Sequence, residues 1–382
     1  MQRQTRFSPL RAALSVLVLL ALVAGAGCRG RKYENPITAD TEQPDKVLFD
    51  KAIRDIEKGR YEIARLTLNT LMNTYDTSEF LAKSKLAIAD SWMREGGAHG
   101  WAQAEAEYKD FILFYPTLEE SAEAQMSICD IHYRQMDKPD RDAAHMLRAE
   151  EECRQILTQF PNSRFAPMAA QKLREVQEAI SESEYRVGAF YHQKGSFVPA
   201  ANRLQAMTDH YPLFSKADDA LWKLADSYGR LGPAFRARSI QAYQRIVRDY
   251  PLSPLAEEAK KQLTTMEAEI PEPDPVAYAR QKYEIENATP KGFMGRSFGF
   301  VSRGPDVSMA AKSGEPTMTR LRPTLPVSIP VTGEGGVTDV TASPVSGASD
   351  QLDSLPDARI NAPKPEESKP AAEPKTPAPP KQ

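Results

Sequence analysis

The chain has 382 residues and a net charge of −3, with Lys+Arg 49 set against Asp+Glu 52. That near balance excludes a global basic field for gathering nucleic acid, and no nucleic-acid partner is expected. Eighteen of the 30 prolines fall after residue 270, so one helical core followed by an unpacked tail fits better than several domains.

The first element is an export signal over residues 1–27. Arg3, Arg6 and Arg11 precede an apolar run from Ala12 to Ala24, and Gly25-Ala26-Gly27 leads into Cys28. A basic start, a short apolar stretch and small residues before the cut make a secretory signal, too short to be a membrane span. A cysteine directly after the small residues is similar to a bacterial lipoprotein signal, which implies a lipid on Cys28 and an anchor in the membrane. Gly25 departs from that pattern, since a leucine is usual there. Arg29 rather than aspartate after the cysteine implies the outer membrane. Three acyl chains would anchor firmly where one anchors only marginally. Residues 28–44 are polar, carry Pro36 and Pro44, and read as a tether.

A repeat domain is expected over residues 45–268. An aromatic residue followed by proline recurs as Tyr115-Pro116, Phe160-Pro161, Tyr211-Pro212 and Tyr250-Pro251, with Tyr75-Asp76 as a degenerate first copy. Each proline stops an amphipathic helix, because it cannot continue the hydrogen-bond ladder. Within the segment ending at Pro212, Gly188 and Ala200 are small where two helices would approach closely. Tyr191, Phe197 and Leu204 fill the seam, and Gly195 suits the turn. That pattern is similar to the 34-residue tetratricopeptide (TPR) consensus. Five hairpins follow, at about 45–78, 79–118, 119–165, 166–214 and 215–268. The fold class is therefore all-α, a solenoid of TPR-like hairpins whose half-buried faces only their neighbours can cover. Residues 269–382 form a Pro-rich tail, disordered by composition, with one short helix at 276–287. Phe293, Met294, Phe298 and Phe300 make an apolar cluster within it.

The order of features also carries a resemblance. The third hairpin holds Asp140-Arg141-Asp142 and ends Phe160-Pro161-Asn162-Ser163-Arg164-Phe165. The next reads Glu184-Tyr185-Arg186-Val187-Gly188-Ala189-Phe190-Tyr191, then Gly195-Ser196-Phe197 and Asn202-Arg203. Over about residues 45–265 this resembles the BamD family of outer-membrane assembly lipoproteins. The resemblance implies a scaffold at the periplasmic face of the outer membrane. Its implied partners are the barrel-forming subunit of the assembly machinery, other assembly lipoproteins and unfolded outer-membrane protein clients. It places partner docking in the C-terminal hairpins, with Arg203 as the arginine that meets an acidic residue of the barrel subunit. Client contact is placed in the N-terminal hairpins. The candidate client groove is Phe49, Ile53 and Ile56 on one helix face, with Asp90, Met93 and Arg94 on the next hairpin. The alternative is a generic TPR lipoprotein serving cell-wall, division or pilus assembly.

No catalytic motif emerges. Glu95 to Gly100 lacks the Lys-Ser/Thr of a phosphate loop, and no GxSxG is present. None of the five histidines forms an i,i+4 pair, so no metal and no cofactor are expected beyond the lipid on Cys28. Cys129 and Cys153 fall on the two helices of the third hairpin. Export permits a disulfide, but a seam position does not guarantee the ~5.5 Å Cα separation, which tips the expectation toward two buried thiols.

Overall fold

In a computed structural model, residues 37, 43–287 and 304–319 are described. They contain twelve α-helices and one 3₁₀ turn, and no strand. The helices are α1 (Pro44–Glu57), α2 (Tyr61–Thr74), α3 (Leu81–Glu95), α4 (Gly97–Phe114), α5 (Glu119–Gln135) and α6 (Ala144–Gln159). They continue as α7 (Ala166–Gln193), α8 (Phe197–His210), α9 (Ala217–Arg230), α10 (Arg236–Asp249), α11 (Ala256–Thr265) and α12 (Pro275–Glu286). Each helix from α1 to α11 packs chiefly on its predecessor and its successor. This is an all-α stack of helical hairpins, as the repeat pattern implies. All the described residues belong to one unit, 1–328.

The aromatic–proline signal acts through one recurring turn. At the end of each second helix the aromatic N–H donates back into the helix, as from Tyr115 to the Phe111 carbonyl (2.9 Å) and from Tyr211 to Met207 (2.8 Å). The aromatic carbonyl then accepts the N–H three residues on. The pairs are Leu118 to Tyr115 (3.2 Å), Ser163 to Phe160 (3.0 Å), Phe214 to Tyr211 (3.2 Å) and Ser253 to Tyr250 (3.0 Å). Proline at the second position of such a turn has its φ already set and needs no donor. The first copy makes the same turn, Ser78 to Tyr75 at 3.1 Å, with Asp76 in place of proline.

Close approach explains the small residues. A Cβ on Gly188 would lie 2.7 Å from Leu204 in α8. Gly195, between these helices, has φ +75°, the left-handed conformation that favours glycine. Helix α7 is 28 residues long. Its first half covers α6, and its second half pairs with α8 and α9, so it joins the third hairpin to the last two.

Cys129 and Cys153 differ from the expectation of two thiols. They form a disulfide with a Cα separation of 5.0 Å, packed among Met126, Ile156, Ala169 and Leu173.

The tail also differs. Helix α12 is capped by the Asp274 carboxylate, which accepts the Val276 N–H. Residues 304–319, which composition assigns to an unpacked tail, lie instead along α7 and α12, with Ala310 and Ala311 buried. The signal and tether residues 1–36, Cys28 included, fall outside the described residues, as does the 293–300 cluster.

Candidate functional site

Helices α7 and α9 present a cleft of about 740 Å³ between the last two hairpins. Its walls are Tyr185, Arg186, Ala189 and Phe190 from α7, Phe197 at the start of α8, and Lys223, Asp226 and Arg230 from α9. Phe190 is 54% exposed. An aromatic so open to water carries an apolar cost that a partner would relieve. Phe190 stands two residues after Gly188, about 200° around the helix, and therefore off the seam.

The charges in the cleft are held in place. The Tyr185 hydroxyl donates to Asp219, which also pairs with Lys223 at 2.5 Å. Burial, then the Asp219 contact, pushes the Tyr185 phenol above its ordinary value. His192 Nε2 lies 2.8 Å from Asp226, and Arg230 lies 3.4 Å from the same carboxylate. The Arg230 guanidinium also faces the Phe197 ring at 5.7 Å. An aromatic floor ringed by paired charges is the anatomy of a protein-docking surface.

Arg203 is on α8 and is half exposed, but it is engaged within the chain. Its Nη1 donates to Glu184 on α7 at 2.9 Å. An acidic partner would have to compete with Glu184 or extend the pair.

The four apolar groove residues separate into two clusters. Ile56 is buried with Ala52, Leu68 and Ile88, and Phe49 and Ile53 are half-buried beside it. The Phe49 ring stacks on Phe80 at 5.2 Å. Met93 packs instead against the cluster of α3, α4 and α5. Asp90 also turns toward α4 and accepts the Tyr108 hydroxyl at 2.6 Å. Burial pushes its carboxyl above the ordinary range, against the hydrogen bond and the Arg94 charge. Of the six groove residues, Ile56 is buried, Phe49, Ile53, Asp90 and Met93 are half-buried, and Arg94 is exposed.

One group with metal-ligand chemistry is assembled across helices, where pair spacing could not reveal it. Glu105 (α4), His132 (α5) and Glu152 (α6) bring ligand atoms within 4.8 Å of one another. Lys109 Nζ already serves as their cation, 2.7 Å from Glu105 and 3.1 Å from Glu152. Burial opposes ionisation of Glu105, but Lys109 and His132 outweigh it and hold the carboxyl below its ordinary value. This group therefore reads as a half-buried ion-pair joint between the second and third hairpins.

A stack of helical hairpins with an aromatic-lined cleft defines a TPR-like helical-repeat protein. The family model YfiO, described as outer membrane lipoprotein, matches residues 41–239, just over half of the chain. The chain belongs to that family. It is 25% identical over 219 residues to the outer membrane protein assembly factor BamD of Rickettsia prowazekii, spanning 57% of this chain and 84% of the relative. It is 26% identical over 243 residues to that of Xylella fastidiosa strain Temecula1 (60% and 80%), and 24% over 226 residues to that of Caulobacter vibrioides (58% and 72%). Among the described residues no helix is long and apolar enough to cross a membrane. The family match ends inside α10, so α11, α12 and residues 304–319 lie beyond it.

Proposed function

We propose that this protein is a non-catalytic scaffold for outer-membrane protein assembly, anchored at the periplasmic face through lipid on Cys28. The observation that carries the reading is the family match over α1 to the start of α10, which includes the hairpins that build the cleft. The C-terminal hairpins dock the barrel-forming subunit through Phe190, Phe197 and their charged rim. Arg203 and Glu184 act as a polar pair nearby. Other assembly lipoproteins join the same complex. Unfolded clients meet the first hairpins at Phe49 and Ile53, beside Arg94.

Affinity purification of the lipidated chain from detergent-solubilised outer membrane tests this role. The barrel-forming subunit is expected among the bound proteins, and its absence would remove the assembly reading. Direct titration against that subunit's periplasmic domains locates the interface. Phe190→Ala is expected to weaken binding about tenfold or more, as loss of a buried aromatic anchor does. Arg203→Glu would weaken it further if the arginine meets an acid there, and unchanged affinity takes Arg203 out of the interface.

A further inference from the structure

Most hydrogen bonds that hold residues 304–319 go to their backbone. Arg174 of α7 donates to three strap carbonyls: Nε to Ala311 (3.1 Å), Nη2 to Lys312 (3.4 Å) and Nη1 to Gly314 (2.9 Å). One turn further on, the Gln177 amide makes both hydrogen bonds to Thr317, donating to its carbonyl at 2.7 Å and accepting its N–H at 3.1 Å. From the other side, Glu284 of α12 accepts the N–H groups of Lys312 (2.8 Å) and Ser313 (2.7 Å). His210, at the end of α8, donates to the Thr319 carbonyl at 2.9 Å.

Side chains of the strap add to this: the Ser313 hydroxyl donates to Glu284 at 2.6 Å, Val307 packs against the main apolar cluster, and Pro316 is buried. Ala310 and Ala311 bury their methyl groups, and Thr317 donates its hydroxyl to the His210 carbonyl at 2.6 Å. Gly314 has φ +85°, and a Cβ there would lie 3.0 Å from Leu213. A half-open groove of about 320 Å³ lies between Ser308–Lys312 and Leu213, Tyr250, Arg280 and Ile285.

Beneath the strap, the receiving side chains are built in. Gln177 is 6% exposed, and its amide also donates to Glu150 at 3.2 Å. Glu150 in turn pairs with buried Arg154 at 2.8 Å and accepts the Tyr211 hydroxyl. Removing the strap would open the Gln177 amide to water, so any extended segment that replaces the strap finds a donor and an acceptor already positioned.

We propose that α7, the α8–α9 turn and α12 form a binding site for extended polypeptide, and that residues 304–319 fill it in cis. The ligand class is an unfolded or extended segment of a partner protein. It needs two adjacent small residues, a glycine three residues after the second of them, and free N–H groups where Lys312, Ser313 and Thr317 now stand. Recognition through main-chain hydrogen bonds with small pockets for side chains is a recurring way to bind such segments. Covalent attachment gives the chain's own segment an effective concentration on the order of millimolar, so it excludes weaker ligands and yields to stronger ones.

The test uses the full chain with a site-specific protease sequence inserted between Phe298 and Gly299. After cleavage under native conditions, the tail fragment is expected to co-elute with the repeats and to be displaced by excess synthetic peptide of residues 304–319. Labelled peptide should bind the cleaved, exchanged chain at least about tenfold more tightly than the uncut chain. Arg174→Ala with Gln177→Ala should weaken that binding by about tenfold or more, with helicity by circular dichroism retained. A fragment that excess peptide cannot displace would make the strap a permanent part of the fold and overturn the proposal. So would a cleaved chain that loses the fragment and fails to bind the peptide. Amide exchange in the uncut chain gives a second reading. Protection of Lys312, Ser313 and Thr317 is expected, with the first two losing it in Glu284→Ala, and exchange at free-peptide rates in the unaltered chain would overturn the proposal.

Discussion

The first two hairpins and the last two are made from the same repeat chemistry but are supported differently. Around α1 to α4 the apolar side chains gather in two small clusters, one about Leu68 and one about Phe111, joined at their edges by Trp92. From Met136 to Leu263 a single cluster runs without a break through α6 to α11, and the disulfide lies just before it. The strap then crosses that second region and adds hydrogen bonds to α7. A helical stack is stabilised by each repeat and by its neighbour contacts. The first region is therefore expected to open at lower free energy than the second.

Equal truncations in the two regions give the sharpest test. Leu68→Ala and Leu204→Ala each remove a fully buried side chain, and each should cost about 3–4 kcal/mol. Amide exchange is expected to show opening confined to α1–α3 for Leu68→Ala, and protection lost across α7 to α10 for Leu204→Ala. Equal spread in both variants would erase the difference between the regions.

Opening the disulfide is next in size. The bond closes a loop with a sequence separation of 24, so Cys129→Ser with Cys153→Ser should lower stability by about 3 kcal/mol. Urea unfolding is expected to show the loss in the α5–α7 region and none in α1–α2. A thiol titration of the denatured, unreduced protein should find neither cysteine free.

Gly188→Ala is a smaller change. The new methyl would press on Leu204, and overpacking of that kind outweighs the gain in helix propensity, for a net loss of about 1–2 kcal/mol. Urea midpoints compared with Gly229→Ala, whose nearest atom would be Ser239 Oγ at 3.9 Å, isolate the clash from the propensity.

The joint between the two regions supplies a pH effect. His132 is 1% exposed, and burial holds its pKa below the ordinary value of 6.5 despite the attraction of Glu105 and Glu152, with His145 adding to the depression. The neutral ring is thus favoured by folding. Its contribution is fully present above pH 6.5 and is lost as pH falls through the depressed folded value, at no more than about 1.4 kcal/mol per pH unit. Stability measured from pH 7.5 to 5 should fall less steeply in His132→Gln.

Some of this was legible in the residues themselves. Helices and their ends rest on local rules, so aromatic–proline pairs and phased small residues located the hairpins, and Tyr75 kept its turn even without proline. The docking cleft was half legible: the stretch from Glu184 to Tyr191 named the helix, but Phe190 became a cleft residue only once α9 stood opposite it. Asp90 and Met93 share a helix face with the groove in sequence, yet neighbouring α4 and α5 claim them. The disulfide depended on a Cα distance that no spacing encodes.

The sequence alone therefore determined the all-α repeat architecture and the family, because each depends on residue types at short, regular intervals. Tertiary structure decided the pairing of Cys129 with Cys153, the Glu105–His132–Glu152 joint and the seat of residues 304–319. Each of those brings together groups from separate helices or the tail, with strap and receptor about 140 residues apart. In a one-dimensional reading, Gln171, Arg174 and Gln177 are indistinguishable from a solvated helix face. They become a binding surface only because α12 and the α8–α9 turn close the other side.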